Sequence, residues 1–194
     1  NPWLSAGSGT WHPLISTELG YARYARDGKV FHRNPGPSQA GYAICLRCGR
    51  AAAEDHWIQQ NAALPRTLVA HRPLRGGQGE SPDCEGNEGS HSIVRNVVLG
   101  GEEQTDMVEL QLRHPVDGEP LGDIVVCTTL AVALRQALST SLGVEPREIG
   151  WAVNDSAGPD GLARTTIVLY DTADGGAGYV SHVQDRFHEL MHAA

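Results

Sequence analysis

The chain has 194 residues, 40% hydrophobic and 20% charged, with a net charge of −8, which suffices for a packed core and argues against a disordered polymer. No apolar run approaches the roughly 20 residues of a membrane span, and the start, NPWLSAGSGTWHP, lacks the basic region and apolar core of a signal peptide. Four cysteines are too few for a disulfide scaffold, so the expectation is a cytoplasmic protein with no membrane partner, and the missing initiator Met predicts a fragment of something longer.

Charge is unevenly spread. Residues 1–75 hold nine Arg/Lys against four Asp/Glu, and residues 76–194 six against nineteen. A nucleic-acid backbone would therefore be met by the N-terminal portion, through Arg23, Arg26, Lys29, Arg33, Arg47 and Arg50. A solvated surface is the plain alternative.

In chain order, residues 1–13 read as irregular. Leu14 to Tyr24 predicts a short helix and Lys29 to Arg33 a strand. Asn34-Pro35-Gly36-Pro37 is a turn, and Gly41 to Cys45 reads as the return strand of a hairpin. Ala51 to Ala63 has helical composition, and a polar loop runs from Ala70 to Ser90, interrupted by Cys84. Ile93 to Leu99, Met107 to Leu112 and Ile124 to Cys127 read as strands. Thr128 or Thr129 would cap a helix whose Leu130, Leu134, Leu138 and Leu142 recur every four residues, with Gly143 as its stop. Ile149 to Val153 and Thr165 to Tyr170 predict a second hairpin. The loop DTADGGAG, Asp171 to Gly178, leads into a final helix, Tyr179 to His192. The fold class expected is α+β, with a zinc-knuckle N-terminal lobe over residues 1–92 and a β/α lobe over residues 93–194.

Three motifs can carry chemistry. In GYAICLRCGR, Cys45 and Cys48 stand at the spacing at which two thiolates reach one ion, and Gly49 allows the turn that aims backbone amides at sulfur. A closed zinc site wants four ligands, and Cys84 is the natural third. His71 is the favoured fourth, with His91 and His56 as alternatives. Cys127, after Ile124-Val125-Val126, reads as a buried thiol. A redox pair would want a thioredoxin-like context that nothing here supplies. Second, the strand TTIVLYD followed by DTADGGAG can present backbone N–H groups to an anion, though Asp171 and Asp174 would repel phosphate; the plainer reading is a tight turn with Asp174 capping a helix. Third, His188-Glu189-Leu190-Met191-His192 spells HExxH, the metallopeptidase motif, but no downstream third ligand follows, and its plainer reading is the end of an amphipathic helix. No Walker motif exists, so this chain alone should not hydrolyse ATP.

The runs DGKVFHRNPGPSQAGYAICLRCGRA, TDMVELQL and LYDTADGGAGYV resemble the MrfA-type zinc-binding domain. That domain is found at the C-terminal end of superfamily 2 DNA helicases and in DrmB-like proteins of DISARM-type phage defence. The resemblance runs from about Lys29 to His192, and its last segment is the most specific. It implies a helicase-associated accessory domain for bacterial DNA repair or phage defence, with DNA and a helicase motor domain or subunit as partners and no catalytic residues of its own. It also implies a further cysteine cluster beyond the helix after GGAG, which would leave Cys45, Cys48 and Cys84 as a secondary site. The ligand set expected for a structural Zn2+ is Cys45, Cys48, His71 and Cys84. A zinc metallopeptidase using HELMH and a protein-interaction module are the rival readings.

Overall fold

The structure is a computed structural model that describes residues 9–73, 84 and 92–194, and the backbone of residues 3–5. It is α+β, and its compact units are nested in sequence: residues 1–32 join residues 102–194, and residues 33–101 form the other. The sequence-based division after residue 92 differs because the first unit's sheet draws strands from both ends of the chain.

In the first unit, β1 (Trp3–Ser5) and β2 (Trp11–Pro13) both pair with the long β3 (Gly20–Asn34). β7 (Leu99–Leu112) lies beside β3, then β9 (Ala163–Asp171), then β8 (Ile149–Ala157) at the edge. The expected helix over Leu14 to Tyr24 is a correction: Gly20 to Tyr24 belong to β3, where buried Gly20, Ala22 and Ala25 recur among less buried residues. Small side chains on the inward positions let neighbouring backbone approach, which a helical count of apolar residues does not register. At Gly20 an added Cβ would lie 2.1 Å from the Gln111 carbonyl oxygen.

The predicted second hairpin is present. β8 and β9 pair antiparallel from Ile149↔Asp171 to Ala157↔Ala163. Against this sheet packs α3 (Ile124–Leu142), whose buried face is Cys127, Ala131, Leu134 and Leu138. The strand expected over Ile124 to Cys127 is instead the first turn of α3. Asp123 caps it, accepting from the amides of Val125 at 2.8 Å and Val126 at 3.2 Å. The β-branched run that suggested a strand is the helix's outer face, with Val125 69% exposed. Gly143 ends the helix at φ 70° as predicted. α3 is long and apolar enough by length and composition to cross a membrane; its inner face covers the sheet. The final helix is broken into α4 (His182–Asp185) and α5 (Phe187–Ala193), and Val183, Phe187 and Leu190 seal the same core.

On β8, Gly150 sits opposite Tyr170 of β9. A Cβ there would come within 2.2 Å of the tyrosine ring, so the absence of a side chain lets the ring lie across the strand. Gly150→Ala is expected to displace the ring at a cost of about 1–3 kcal/mol, read as a lower unfolding midpoint in denaturant.

In the second unit, β4 (Tyr42–Cys45) is the middle strand of a three-stranded sheet between β5 (Ala51–Ala53) and β6 (Ile93–Val97). β4 does not return onto β3, so the hairpin expected around Asn34-Pro35-Gly36-Pro37 is a correction: the turn passes the chain from one sheet to another. Ala51 to Ala63 is helical only over α1 (His56–Gln60), which Asp55 caps from outside by accepting the Ile58 amide at 2.7 Å. α2 (Arg66–Val69) follows. The register of β4 on β6 slips between Tyr42↔Val97 and Ile44↔Val94, and Asn96, at φ 56°, takes up the extra residue. Buried Glu54 holds this bulge. Its carboxylate accepts from Arg95 Nε at 2.7 Å and from the Asn96 amide at 2.8 Å.

Candidate metal centre

The small core of residues 33–101 is built around sulfur. Cys45 ends β4 and is fully buried, next to Ala43, Leu68, Cys84 and Ile93. The chain then turns back on itself: the Gly49 amide donates to the Cys45 carbonyl at 2.8 Å, and the Cys45 amide to the Arg50 carbonyl at 2.9 Å. Gly49 adopts φ 75° with nothing within 4 Å of its would-be Cβ, so the glycine is required by conformation rather than by space. This turn brings Cys48 back over Cys45.

His71 follows α2, and its Nδ1 lies 3.2 Å from the Leu68 carbonyl. A proton donated there leaves Nε2 as the basic nitrogen, the arrangement by which a second partner orients a ligating imidazole. The Cys84 amide donates to the His71 carbonyl at 2.9 Å, so third and fourth donors arrive tied together. Cys45 Sγ and Cys84 Sγ are 3.8 Å apart. Two thiolates at about 2.3 Å from one tetrahedral zinc would be about 3.8 Å apart.

Cys45, Cys48, His71 and Cys84 each offer a donor atom, and these atoms all lie within 4.8 Å of one another. Three of the four are buried and Cys48 is half-buried. Burial pushes the Cys48 thiol up, but the Arg50 amide and hydrogen bonds from Cys84, His71 and Cys45 outweigh it and bring it down to about 7. Three sulfurs and an imidazole, with no carboxylate, suit zinc in a closed structural site. The alternatives for the fourth position fall away differently: His56 is exposed on α1, and His91 lies outside the described residues. Cys127 is a buried thiol of the α3 core, as expected; burial, and then the charge of Asp123, raises its pKa.

The glycine loop is not an anion site. Its amides are spent within the protein: Thr172, Gly175 and Gly176 donate to the carbonyls of Glu148, Gln104 and Ala173, Asp171 Oδ2 accepts from Ala177 at 2.8 Å and from Tyr179, just past the loop, at 3.0 Å, and Asp171 Oδ1 accepts from Val180 at 3.1 Å. Asp106 Oδ2 accepts from Gly178 at 3.0 Å, while its Oδ1 receives the Tyr24 hydroxyl at 3.1 Å. Gly176, at φ 79°, allows the loop to close on Asp106, whose Cγ would be 2.6 Å from an added Cβ. Asp174 does not cap the following helix, whose N-cap position is Ser181 with no side-chain cap; Asp171 instead holds the loop's end ahead of it. Sequence reading missed Asp106, since nothing in TDMVELQL marks one carboxylate as turned toward a loop more than sixty residues away.

His188 and His192 share one face of α5, with ring centroids 4.4 Å apart. Glu189 is paired to Arg186 at 3.1 Å. Among the described residues no third His, Cys, Asp or Glu joins the two histidines, so the three-ligand zinc of a metallopeptidase is not assembled. Arg23 is likewise not a free cation. Its Nε donates to buried Glu109 at 2.6 Å, and its guanidinium lies 4.7 Å from the Trp11 ring centre.

Residues 130–194 match the family model of the MrfA Zn-binding domain. That stretch contains no cysteine, so the Cys3His group lies outside it. The Druantia protein DruE of Escherichia coli (strain UMEA 4076-1) is 27% identical over 188 residues, covering 88% of this chain and 10% of DruE. The crystal structure of the DUF1998 helicase MrfA bound to DNA superposes with a TM-score of 0.51 at 13% identity, over all of this chain and 20% of that one. The chain thus spans a tenth of one relative and a fifth of the other; the second likeness is one of fold.

Proposed function

From the premise that residues 130–194 are an MrfA Zn-binding domain, we propose that the chain is a helicase-associated, zinc-stapled module for DNA processing in bacterial phage defence or repair, working in the cytoplasm beside an ATP-driven motor. The family match is the observation that carries the reading. The similarity to a Druantia protein supports defence, and the fold shared with a helicase bound to DNA supports a place at the nucleic acid. The metal, held by Cys45, Cys48, His71 and Cys84, has a structural role. Its four donors close the coordination sphere and leave no position for substrate.

Arg47 and Arg50 stand on the turn between and after the two cysteines, Arg47 exposed and Arg50 donating from Nε to the Arg72 carbonyl at 3.1 Å. They are proposed to meet phosphate. Fluorescence anisotropy with single- and double-stranded oligonucleotides should show binding that weakens with salt, and the Arg47→Ala/Arg50→Ala variant should lower the slope of log K against log salt by about 1.8 for duplex DNA. Absence of binding at low salt would remove DNA as a partner, and a slope unchanged by the substitutions would show that Arg47 and Arg50 do not contact phosphate.

A second reading, a protein-interaction module, is favoured by one observation. The first unit bears an open apolar hollow of about 480 Å³, with Leu19, Leu112, Leu121, Val126, Phe187 and Met191 in its wall.

A further inference from the structure

HELMH is left unused by the proposed function, and its geometry has a reading of its own. We propose that His188 and His192 form a two-histidine chelate for a divalent transition-metal ion that favours cis, right-angled donors, of the copper(II) or nickel(II) class. The site would be separate from the Cys3His centre and would keep open coordination positions.

The sequence spacing sets the pair. Residues four apart on a helix stand one above the other on the same face, and both histidines lie on α5. Both are exposed, so an ion reaches them without opening the core. Their ring centroids are 4.4 Å apart, with the ring planes inclined at 67°.

That separation is compatible with two donors at a right angle on one ion. A metal–nitrogen bond of about 2.0–2.1 Å places an imidazole's centre about 3.2 Å from the ion. Two such rings subtending a right angle have centres about 4.5 Å apart; at a tetrahedral angle they are about 5.2 Å apart. The observed spacing fits the right angle, the geometry of tetragonal copper and nickel with nitrogen donors. Imidazole is also a donor to which those ions bind well, whereas the three sulfurs of the other centre favour zinc.

Among the described residues no third His, Cys, Asp or Glu joins the pair, and a hollow adjoins it. His188 and His192, with Ile15, Leu19, Phe187 and Met191, line a cavity of about 180 Å³. The remaining positions of the ion would hold water or a small donor molecule, with apolar carbon beside them. Glu189 is engaged by Arg186, so the glutamate that serves a peptidase as base is committed elsewhere.

Titration of Ni2+ alone into the zinc-loaded protein tests the assignment, with zinc release followed by a chromogenic chelator so that exchange at the cysteines is seen separately. One saturable site is expected, weakened at least about tenfold by His188→Ala and equally by His192→Ala, because each leaves a single tethered donor. His182→Ala should leave it unchanged. Paramagnetic Ni2+ should broaden the amide resonances of residues 187–193 before any others. Equal affinity in the wild type and both histidine variants, or broadening centred elsewhere, would overturn the proposal. Since both side chains are exposed, thermal melts without Ni2+ should coincide for all three proteins, so that a lost site is not a lost fold.

Discussion

Replacing Cys45 by serine is expected to release the metal and unfold residues 33–101 while leaving the rest of the fold intact. The reason is the size of the local core. Beyond its sulfurs it has Ala43, Leu68 and Ile93 fully buried, with Ala52 and Leu64 partly so. Such a cluster buries too little apolar surface to offset the chain entropy of ordering the unit. A structural zinc contributes on the order of 10 kcal/mol of folding free energy, which is the larger share here. Metal analysis should find about one zinc per chain in the wild type and none in Cys45→Ser. Hydrogen exchange should show protection lost over β4, β5 and β6 and retained over α3 and the β8–β9 hairpin. A strong chelator should do the same to the wild type. Full zinc retention in the variant would show that Cys45 is not a ligand, and unchanged protection of β4 would show that the unit does not depend on the metal to fold.

Asp171→Ala is the second large effect expected, and it acts on the other unit. The carboxylate accepts three amides, those of Ala177, Tyr179 and Val180, and Val180 is fully buried. Removing the acceptor orphans these donors, at about 1–3 kcal/mol for each that stays shielded from water, so a loss of about 3–5 kcal/mol is expected from denaturant unfolding. Asp171→Asn keeps one carbonyl oxygen and should lose less. The pH dependence has a definite sign. Burial raises the Asp171 pKa; the three amides oppose this, and the charge of Asp106 adds to the rise. A carboxyl whose pKa is higher folded than unfolded favours the folded state most when protonated. Its contribution declines as pH rises through the folded value. Acidification should therefore protonate Asp171 in the intact fold, seen as a carbon-13 carboxyl titration midpoint above the ordinary aspartate value, and should not melt the loop through this group.

The parts of the site that were legible were the short-range ones. Cys45, Cys48 and Gly49 declare a metal turn because three residues of backbone determine where two sulfurs point. Cys84 was nameable from its polar loop, and His71 only as the favoured one of three histidines; the structure brings both to the pair. Errors arose where a short pattern had two solutions. Ile124-Val125-Val126 suits a strand or the outer face of a helix, and Asp123 decides for the helix by capping it. The alternation from Gly20 to Tyr24 was masked by alanine and glycine, whose burial reflects close backbone approach rather than hydrophobicity. DTADGGAG was recognisable as a loop with exposed amides, but what accepts them was not.

Read alone, the order of residues determined the elements whose causes lie within a few positions: the cysteine turn, the α3 stop at Gly143, the β8–β9 hairpin and the i, i+4 histidines. These depend on backbone torsions and adjacent side chains, which travel with the chain wherever it goes. Tertiary structure decided the partners: that β3 and β7 place residues 1–32 with residues 102–194, that His71 and Cys84 complete the donor group, and that Asp106 and Asp171 together occupy the glycine loop. Those pairings bring together atoms separated by many residues. They are selected by burial and by the cost of leaving a polar group unsatisfied, forces that act only once the chain is compact.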